Sequence, residues 1–247
     1  MKPDQNRKEG LLRLTLDRVS PANQHYIHLY FLVNDIKKAV TSYAKGDVLD
    51  IGCGNKPYLS FFKTGISKYV GCDIIQSSEN VVDFICPANE LCFDDASFDT
   101  VFSTQTMEHV SDHQGMVKES FRVLKPGGHA IFTVPFSWEL HEEPYDFFRF
   151  TKYGLKDLFE KNGFEIVEIK PNGGKWAAVF QLWINVLFST RKYVTIRSRI
   201  IKLLFVRLKL IVPYNKFAIW LDKRYFDEGF TLNYIVITKK KLNTTLS

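Results

Sequence analysis

"VLDIGCGNKP", Val48 to Pro57, is the point where an apolar run breaks into glycines. The residues before the break read as a short buried strand. Gly52 and Gly54 end it, and without Cβ atoms they permit positive φ and let the backbone approach a ligand closely. The third glycine of a G-x-G-x-x-G pattern is missing, because Pro57 stands there, so the spacing alone also fits a plain tight turn. Asp73 strengthens the ligand reading. It closes the next predicted strand, "KYVGCDI", about twenty residues on, where a carboxylate can accept both hydroxyls of a ribose. Asp50, just before the glycines, can face a cationic ammonium group.

Outward from this turn the chain alternates. Ser20-Pro21 has the form of a helix start, N-cap then preset proline, predicting a helix to about Tyr43. A second helix is predicted from Lys56 to Lys63. "NVVDFI" reads as a weak third strand and "FDTVFSTQ" as a fourth. "DHQGMVKESFRVL" has helical spacing and stops at "KPGG". "HAIFTVPF" is a fifth strand. Thr151 caps "KYGLKDLFEKNG", a helix closed by Gly163; "FEIVEIK" and "TLNYIVITKK" are the sixth and seventh strands. Alternation of this kind predicts an α/β fold with a mostly parallel seven-stranded sheet, helices on both faces, and a helical insertion between strands six and seven. The chain is read as a single domain: a helical lead over 1–46, a core over 47–173 and 229–240, and the insertion over 174–228. Ligands of such sheets bind beyond the carboxyl ends of the strands, and the informative residues do follow strands.

"VLDIGCG", "YVGCDI", "LCFDDASFDTVFSTQTMEHV" and "VLKPGG", in this order and spacing, resemble the class I S-adenosylmethionine (SAM) methyltransferases, from Val48 to about Lys170 plus the last strand. The resemblance implies a Rossmann-like fold and SAM as cofactor. It implies that Gly52 and Gly54 flank the methionine part, that Asp73 holds the ribose, and that Ile74 lies against adenine. Ala88 and Asn89 would line the adenine edge and Gln105 would sit beside the methionine moiety. Pro87 stands where many relatives carry an aspartate for the adenine amine. Gln105 stands where some quinone-type relatives carry a glutamate that joins the equivalents of Glu108 and His109 in a magnesium site. Without that charge, no metal is expected, and Glu108-His109 reads as a structural pair.

The loop after the fifth strand lies beside the transferred methyl in this fold, and here it holds "HEEPYDFFRF", His141 to Phe150. A hydroxyl nucleophile must lose a proton, and aromatic walls tolerate a cationic sulfonium. His141 leads as general base because an imidazole ordinarily titrates near neutrality. Glu142 and Asp146 are further catalytic candidates that orient the base or bind hydroxyls. Tyr145 and Arg149 are candidate acceptor contacts. The competing reading is a structured loop in which Asp146 and Arg149 pair with each other; the two can coexist. "TVPFSWELHEEPYDFFRFTKYGL", with "GF" and "PNGG" after it, further resembles a bacterial subgroup often encoded with surface-polysaccharide biosynthesis. That implies a sugar or lipid-linked acceptor. A quinone or other small lipid is the alternative substrate, and a non-catalytic SAM-binding membrane scaffold the alternative function.

Charge divides the chain. From Gly174 to Tyr225 there are eleven Lys or Arg against one acid, Asp222. The net charge of the whole is only +6, so the remainder is acidic. Ser198, Arg199, Lys202 and Lys209 fall at near-helical spacing, with Arg191, Lys192, Arg197 and Arg207 around them. The segment 176–221 thus reads as a basic amphipathic element that either meets an anionic membrane or caps the acceptor site. A face this apolar does not suit a phosphate groove, so nucleic acid is not expected. The longest apolar runs, "WAAVFQLWINVLF" and "IIKLLFVRLKLIV", have thirteen residues each. A span needs about twenty, so none is predicted. The polar start "MKPDQNRKEG" lacks the apolar stretch of a signal peptide, and no two of the four cysteines form C-x-x-C. A cytoplasmic, reduced protein, peripheral on the membrane at most, is expected.

Overall fold

The computed structural model describes residues 19–188, 200, 203, 205 and 207–242. Its elements in order are α1 (Tyr26–Tyr43), β1 (Gly46–Ile51), β2 (Ile66–Asp73), β3 (Phe84–Ile85), β4 (Phe98–Thr104), α2 (His113–Val123), β5 (Leu124–Pro135), α3 (Lys152–Lys161), β6 (Phe164–Asn172), α4 (Lys175–Phe188), α5 (Ile211–Arg224) and β7 (Asn233–Lys240). The strands form one seven-stranded sheet in the order β3-β2-β1-β4-β5-β7-β6. β3, β2, β1, β4 and β5 pair in parallel, and β7 runs antiparallel. This is the Rossmann-like α/β architecture expected, with α4 and α5 between β6 and β7.

The central strands are buried along their length. Val48, Leu49 and Ile51 of β1 and Val101 and Phe102 of β4 are sealed from solvent. Apolar residues on both sides of the pleat are what a covered parallel sheet requires. Val117 and Val123 of α2 and Leu155 and Phe159 of α3 join the core cluster. Asp112 caps α2 through the N–H of Gly115 (2.9 Å). Thr151 caps α3 through the N–H of Gly154 (3.1 Å), as its place in the sequence predicts.

Four local expectations are corrected. The helix predicted from Lys56 to Lys63 is only a 3₁₀ turn over Leu59–Phe61. Lys56 has φ +51°, a left-handed conformation that cannot belong to a helix beginning at that residue. Instead the segment turns Tyr58 and Phe62 under the sheet, edge-on to Phe102. Helix α1 starts at Tyr26 rather than at Pro21. The Asn23 N–H donates to the Ser20 carbonyl (2.8 Å) and the His25 N–H to the Asn23 side chain (2.8 Å), so these residues make a turn first. The third strand shrinks to Phe84–Ile85, because the N–H groups of Val81 and Val82 go to Ser77 Oγ and Gln76 Oε1 (3.3 and 3.0 Å). The helix stops before KPGG as expected, but the fifth strand begins at Leu124 rather than at His129, so KPGG lies within β5.

By packing, the chain divides into two compact units. Of the described residues, one holds Ile36–Lys170 and 234–242; the other holds 19–35 together with Pro171–Asn233. Of the basic residues singled out in the insertion, Arg207 and Lys209 are described and exposed. Arg191, Lys192, Arg197, Ser198, Arg199 and Lys202 lie outside the described residues. Among the described residues no helix is long and apolar enough to cross a membrane.

Candidate active site

The glycine turn is folded onto the end of β2. The N–H groups of Gly52 and Cys53 both donate to the Cys72 carbonyl, at 2.8 and 3.1 Å. Gly52 has φ +74° and Gly54 φ +51°. A Cβ on Gly52 would stand 2.3 Å from Thr106 Oγ1, so no side chain fits there. Asp73, buried at the end of β2, has its carboxylate fixed across the turn: Oδ2 accepts from the N–H of Gly54 (3.1 Å) and Oδ1 from that of Ile74 (2.8 Å). Asp50, also buried, accepts the Tyr69 hydroxyl at 2.5 Å. Burial, then the Asp50 charge, pushes the Tyr69 phenol well above its ordinary range, so it stays a donor.

The other donor-site candidates stand at the ends of β2, β3 and β4. Ile74 is exposed beyond β2. Ala88 packs on the core cluster. Asn89, beside it, is exposed and gives its amide to Asp112, the cap of α2 (3.3 Å). Gln105 adopts φ +49°, held by its N–H to the Thr133 carbonyl (2.9 Å) and its amide to Thr133 Oγ1 (3.3 Å). The eight residues predicted for the cofactor thus fall at four successive strand ends, with a buried carboxylate fixed across the glycine turn. That donor set fits a nucleoside carrying a ribose diol.

The loop after β5 is tied around Asp146. Arg149 clamps both carboxylate oxygens, at 2.6 and 2.7 Å, and donates to the carbonyls of Glu139 and Phe148 (2.9 and 2.8 Å). Burial alone would raise the Asp146 carboxyl, but these bonds and the His141 N–H hold it below its usual range. The Asp146–Arg149 pair of the structural reading therefore exists, and it supports His141. That ring's Nδ1 lies 3.1 Å from the Glu139 carbonyl and 3.3 Å from Asp146. Two acceptors at Nδ1 favour a proton there, with the lone pair on Nε2, although Arg149 Nη2 also approaches Nδ1 at 3.5 Å.

Glu108 and His109, read from sequence as a structural pair, belong to the same cluster. His109 Nδ1 faces the Tyr145 carbonyl at 2.9 Å, so this ring too presents Nε2 as its basic nitrogen. That nitrogen lies 3.9 Å from Glu108 and 3.9 Å from Glu142. The His109 and His141 rings meet edge-on, with centroids 4.8 Å apart. Burial lowers the His109 pKa, with partial opposition from Glu142, so its imidazole is neutral at pH 7. Glu108 is completely buried, and neither of its oxygens accepts a hydrogen bond among the described residues. Burial pushes its carboxyl up to about 8. Glu108, His109 and His141 each bring a ligand atom within 4.8 Å of the others, close enough to take up a metal ion. Sequence reasoning missed this convergence because loop 141–150 docks on the 107–109 turn through backbone bonds, including Phe147 N–H to the Glu108 carbonyl (2.9 Å). Tyr69, in the middle of β2, and Thr106, just past β4, were missed too; only the place of Thr106 after a strand end could have pointed to it.

Residues 49–132 match the family model described as a methyltransferase domain. A ubiquinone biosynthesis O-methyltransferase of Idiomarina loihiensis is 32% identical over 99 residues, covering 35% of this chain and 41% of that protein. The 27-O-demethylrifamycin SV methyltransferase of Amycolatopsis mediterranei is 30% identical over 96 residues, covering 33% and 35%. These matches thus span less than half of either relative's length. The solved structure of the cyclase SpnF superposes with a TM-score of 0.55 over 86% of this chain and 81% of that one, at 17% identity. At that identity the likeness speaks for the fold alone. The likeness to methyltransferases in sequence thus centres on residues 49–132, about a third of the chain.

Proposed function

We propose that this chain, built on a SAM-dependent methyltransferase domain, methylates an oxygen of a sugar or lipid-linked saccharide, working peripherally at the cytoplasmic face of a membrane. The observation that carries the donor half is Asp73, its carboxylate fixed by Gly54 and Ile74 across the glycine turn. Bound there, SAM supplies a methyl group on a sulfonium that is its own leaving group. The chain's part is to hold, exclude water and take a proton. Asp73 holds the ribose diol, and Ile74, Ala88 and Asn89 line the adenine. Gly52 and Gly54 admit the methionine part, which Asp50 and Gln105 flank. Holding the acceptor oxygen close and in line supplies most of the acceleration.

His141 takes the acceptor's proton at Nε2. Asp146, itself fixed by Arg149, keeps the proton on Nδ1 and stabilises the imidazolium that forms. Glu142 and Tyr145 face the acceptor, while Arg149 acts by holding Asp146. Oxygen as the methylated atom is supported by the two relatives, whose names both specify O-methylation. The sugar is supported by the mixed aromatic and acidic loop 141–150. The ubiquinone relative favours a second acceptor class, a quinone or other small lipid.

Transfer of labelled methyl from SAM to cell extracts, with mass spectrometry of the product, tests the function and identifies the acceptor. A protein that binds SAM but labels nothing is the non-catalytic scaffold. With the acceptor in hand, His141→Ala and His141→Gln should leave SAM affinity unchanged and slow single turnovers by about 10²–10⁴. His109→Ala, which loses the bond to the Tyr145 carbonyl, should lower stability more than turnover. Fast His141 variants beside an inactive but folded His109 variant would move the base to His109.

A further inference from the structure

Helices α4 and α5 turn their amide side chains inward and several aromatic residues outward. On α4 the buried face includes Gln181 and Asn185. Gln181 accepts from the His28 N–H (3.1 Å) and donates to the Gln24 carbonyl and to Asn185 (2.9 and 2.8 Å). On α5 the buried face includes Asn215 and Asp222, and Asn215 donates to the carbonyls of Pro21 and Asn23 (2.9 and 3.0 Å). The amide side chains of both helices therefore point into the unit rather than toward solvent.

Large apolar side chains face out, with basic residues among them on α5. Along α4, Trp176, Val179, Trp183 and Val186 follow one another at helical spacing, with relative exposures of 39, 51, 43 and 68%. On α5, Phe217 and Trp220 are 50 and 55% exposed. Rings join the two helices into one surface: Phe180 meets Phe217 at 5.9 Å and Tyr214 stacks on Trp183 at 5.3 Å. A helix facing water normally shows the opposite arrangement. A contiguous exposed apolar patch of this kind marks an interaction site.

We infer that this surface seats the protein on a bilayer containing anionic lipid, with the aromatic rings at headgroup depth. The inference deepens the membrane-facing part of the proposed function and rests on it. Three features choose the occupant. Tryptophan and tyrosine favour the interface between headgroups and acyl chains. Lys216, Lys223 and Arg224 stand within one turn of Phe217 or Trp220 on the same helix, and Arg207 and Lys209 are exposed before it. Basic residues at this depth are attracted to an anionic leaflet. Lastly, the one acid of this segment, Asp222, is buried. A second copy of the chain would bring like charges together around the same patch, so self-association is the poorer fit.

Three of the four tryptophans lie on this surface (Trp138 is the exception), so intrinsic fluorescence reports it. The full chain would be mixed with phosphatidylcholine vesicles with and without phosphatidylglycerol. Sedimentation would be followed together with tryptophan quenching by brominated acyl chains. Binding is expected to the anionic vesicles, with quenching, and to weaken with salt. Trp183→Glu combined with Trp220→Glu, both at exposed positions, should reduce binding by more than about tenfold, since each ring forfeits its burial in lipid. SAM titration in the same variant should be unchanged, which separates failure here from failure of the donor site. No sedimentation of the wild type with anionic vesicles at low salt would overturn the inference. So would a stable dimer that the same substitutions dissociate.

Discussion

Asp222 is the lone acid among eleven basic residues between Gly174 and Tyr225, and the structure gives it a purely internal task. Its carboxylate accepts from the N–H groups of Gly174 (3.0 Å) and Ala177 (2.9 Å), capping the N-terminus of α4 from a residue on α5. Orphan N–H groups at a helix start favour such a negative partner. Asp222→Ala should destabilise the protein by about 1–2 kcal/mol, the range for a lost cap. Asp222→Asn, which keeps one acceptor oxygen, should cost less; urea unfolding of the three proteins checks the order. The residue stood out in the sequence, but its role did not, because its partners are far away along the chain. Asp73 shows the opposite case. Its partners are the glycine turn and its own neighbour, both fixed by the strand ends that the sequence marks, so its place was legible.

At the scale of elements, the stretch between β3 and β4 is held by α2. Arg122 donates twice to Glu119 (2.8 and 2.7 Å), to Asp95 (2.8 Å) and to the carbonyls of Phe93 and Leu91 (2.7 and 3.0 Å). The Arg122 guanidinium, then the Leu91 N–H, keep the Glu119 carboxyl below its usual range against the cost of burial. A carboxyl whose folded pKa is depressed binds fewer protons when folded than when unfolded. Its stabilisation is therefore complete above its unfolded pKa of about 4.3 and is lost as pH falls through the folded value. Glu119→Gln should flatten the acid side of the stability profile and change little at pH 7 beyond a constant offset. Melting temperatures between pH 3 and 7 check this; parallel acid limbs in the two proteins would remove Glu119 from the account. The same scale shows where sequence patterns mislead. The predicted helix at Lys56 and the predicted strand at Val81 both fail because side chains or a positive φ capture backbone groups that periodicity assumes to be available. Thr151 and Gly163 succeed because a cap and a left-handed stop are local (Gly163 has φ +89°).

Across the whole molecule, the alternation of strands and helices was enough to give the sheet, because buried parallel strands read as apolar runs wherever they occur. The positions of the eight residues proposed for the donor followed, since each sits at a strand end. The cluster of Glu108, His109 and His141 did not follow, because it depends on a long loop returning to a turn at the end of another strand. Nor did the inverted faces of α4 and α5, where the apolar count was visible but its outward direction was not. Everything proposed for the acceptor depends on one claim, that Asp73 and the glycine turn hold S-adenosylmethionine. Calorimetric titration of SAM into the wild type and into Asp73→Ala tests that claim directly. The wild type should bind, and the variant, folded, should bind more weakly by roughly 1–3 kcal/mol, as for charge-assisted hydrogen bonds left unmade. Equal affinities in the two proteins, or no binding by the folded wild type, would contradict it.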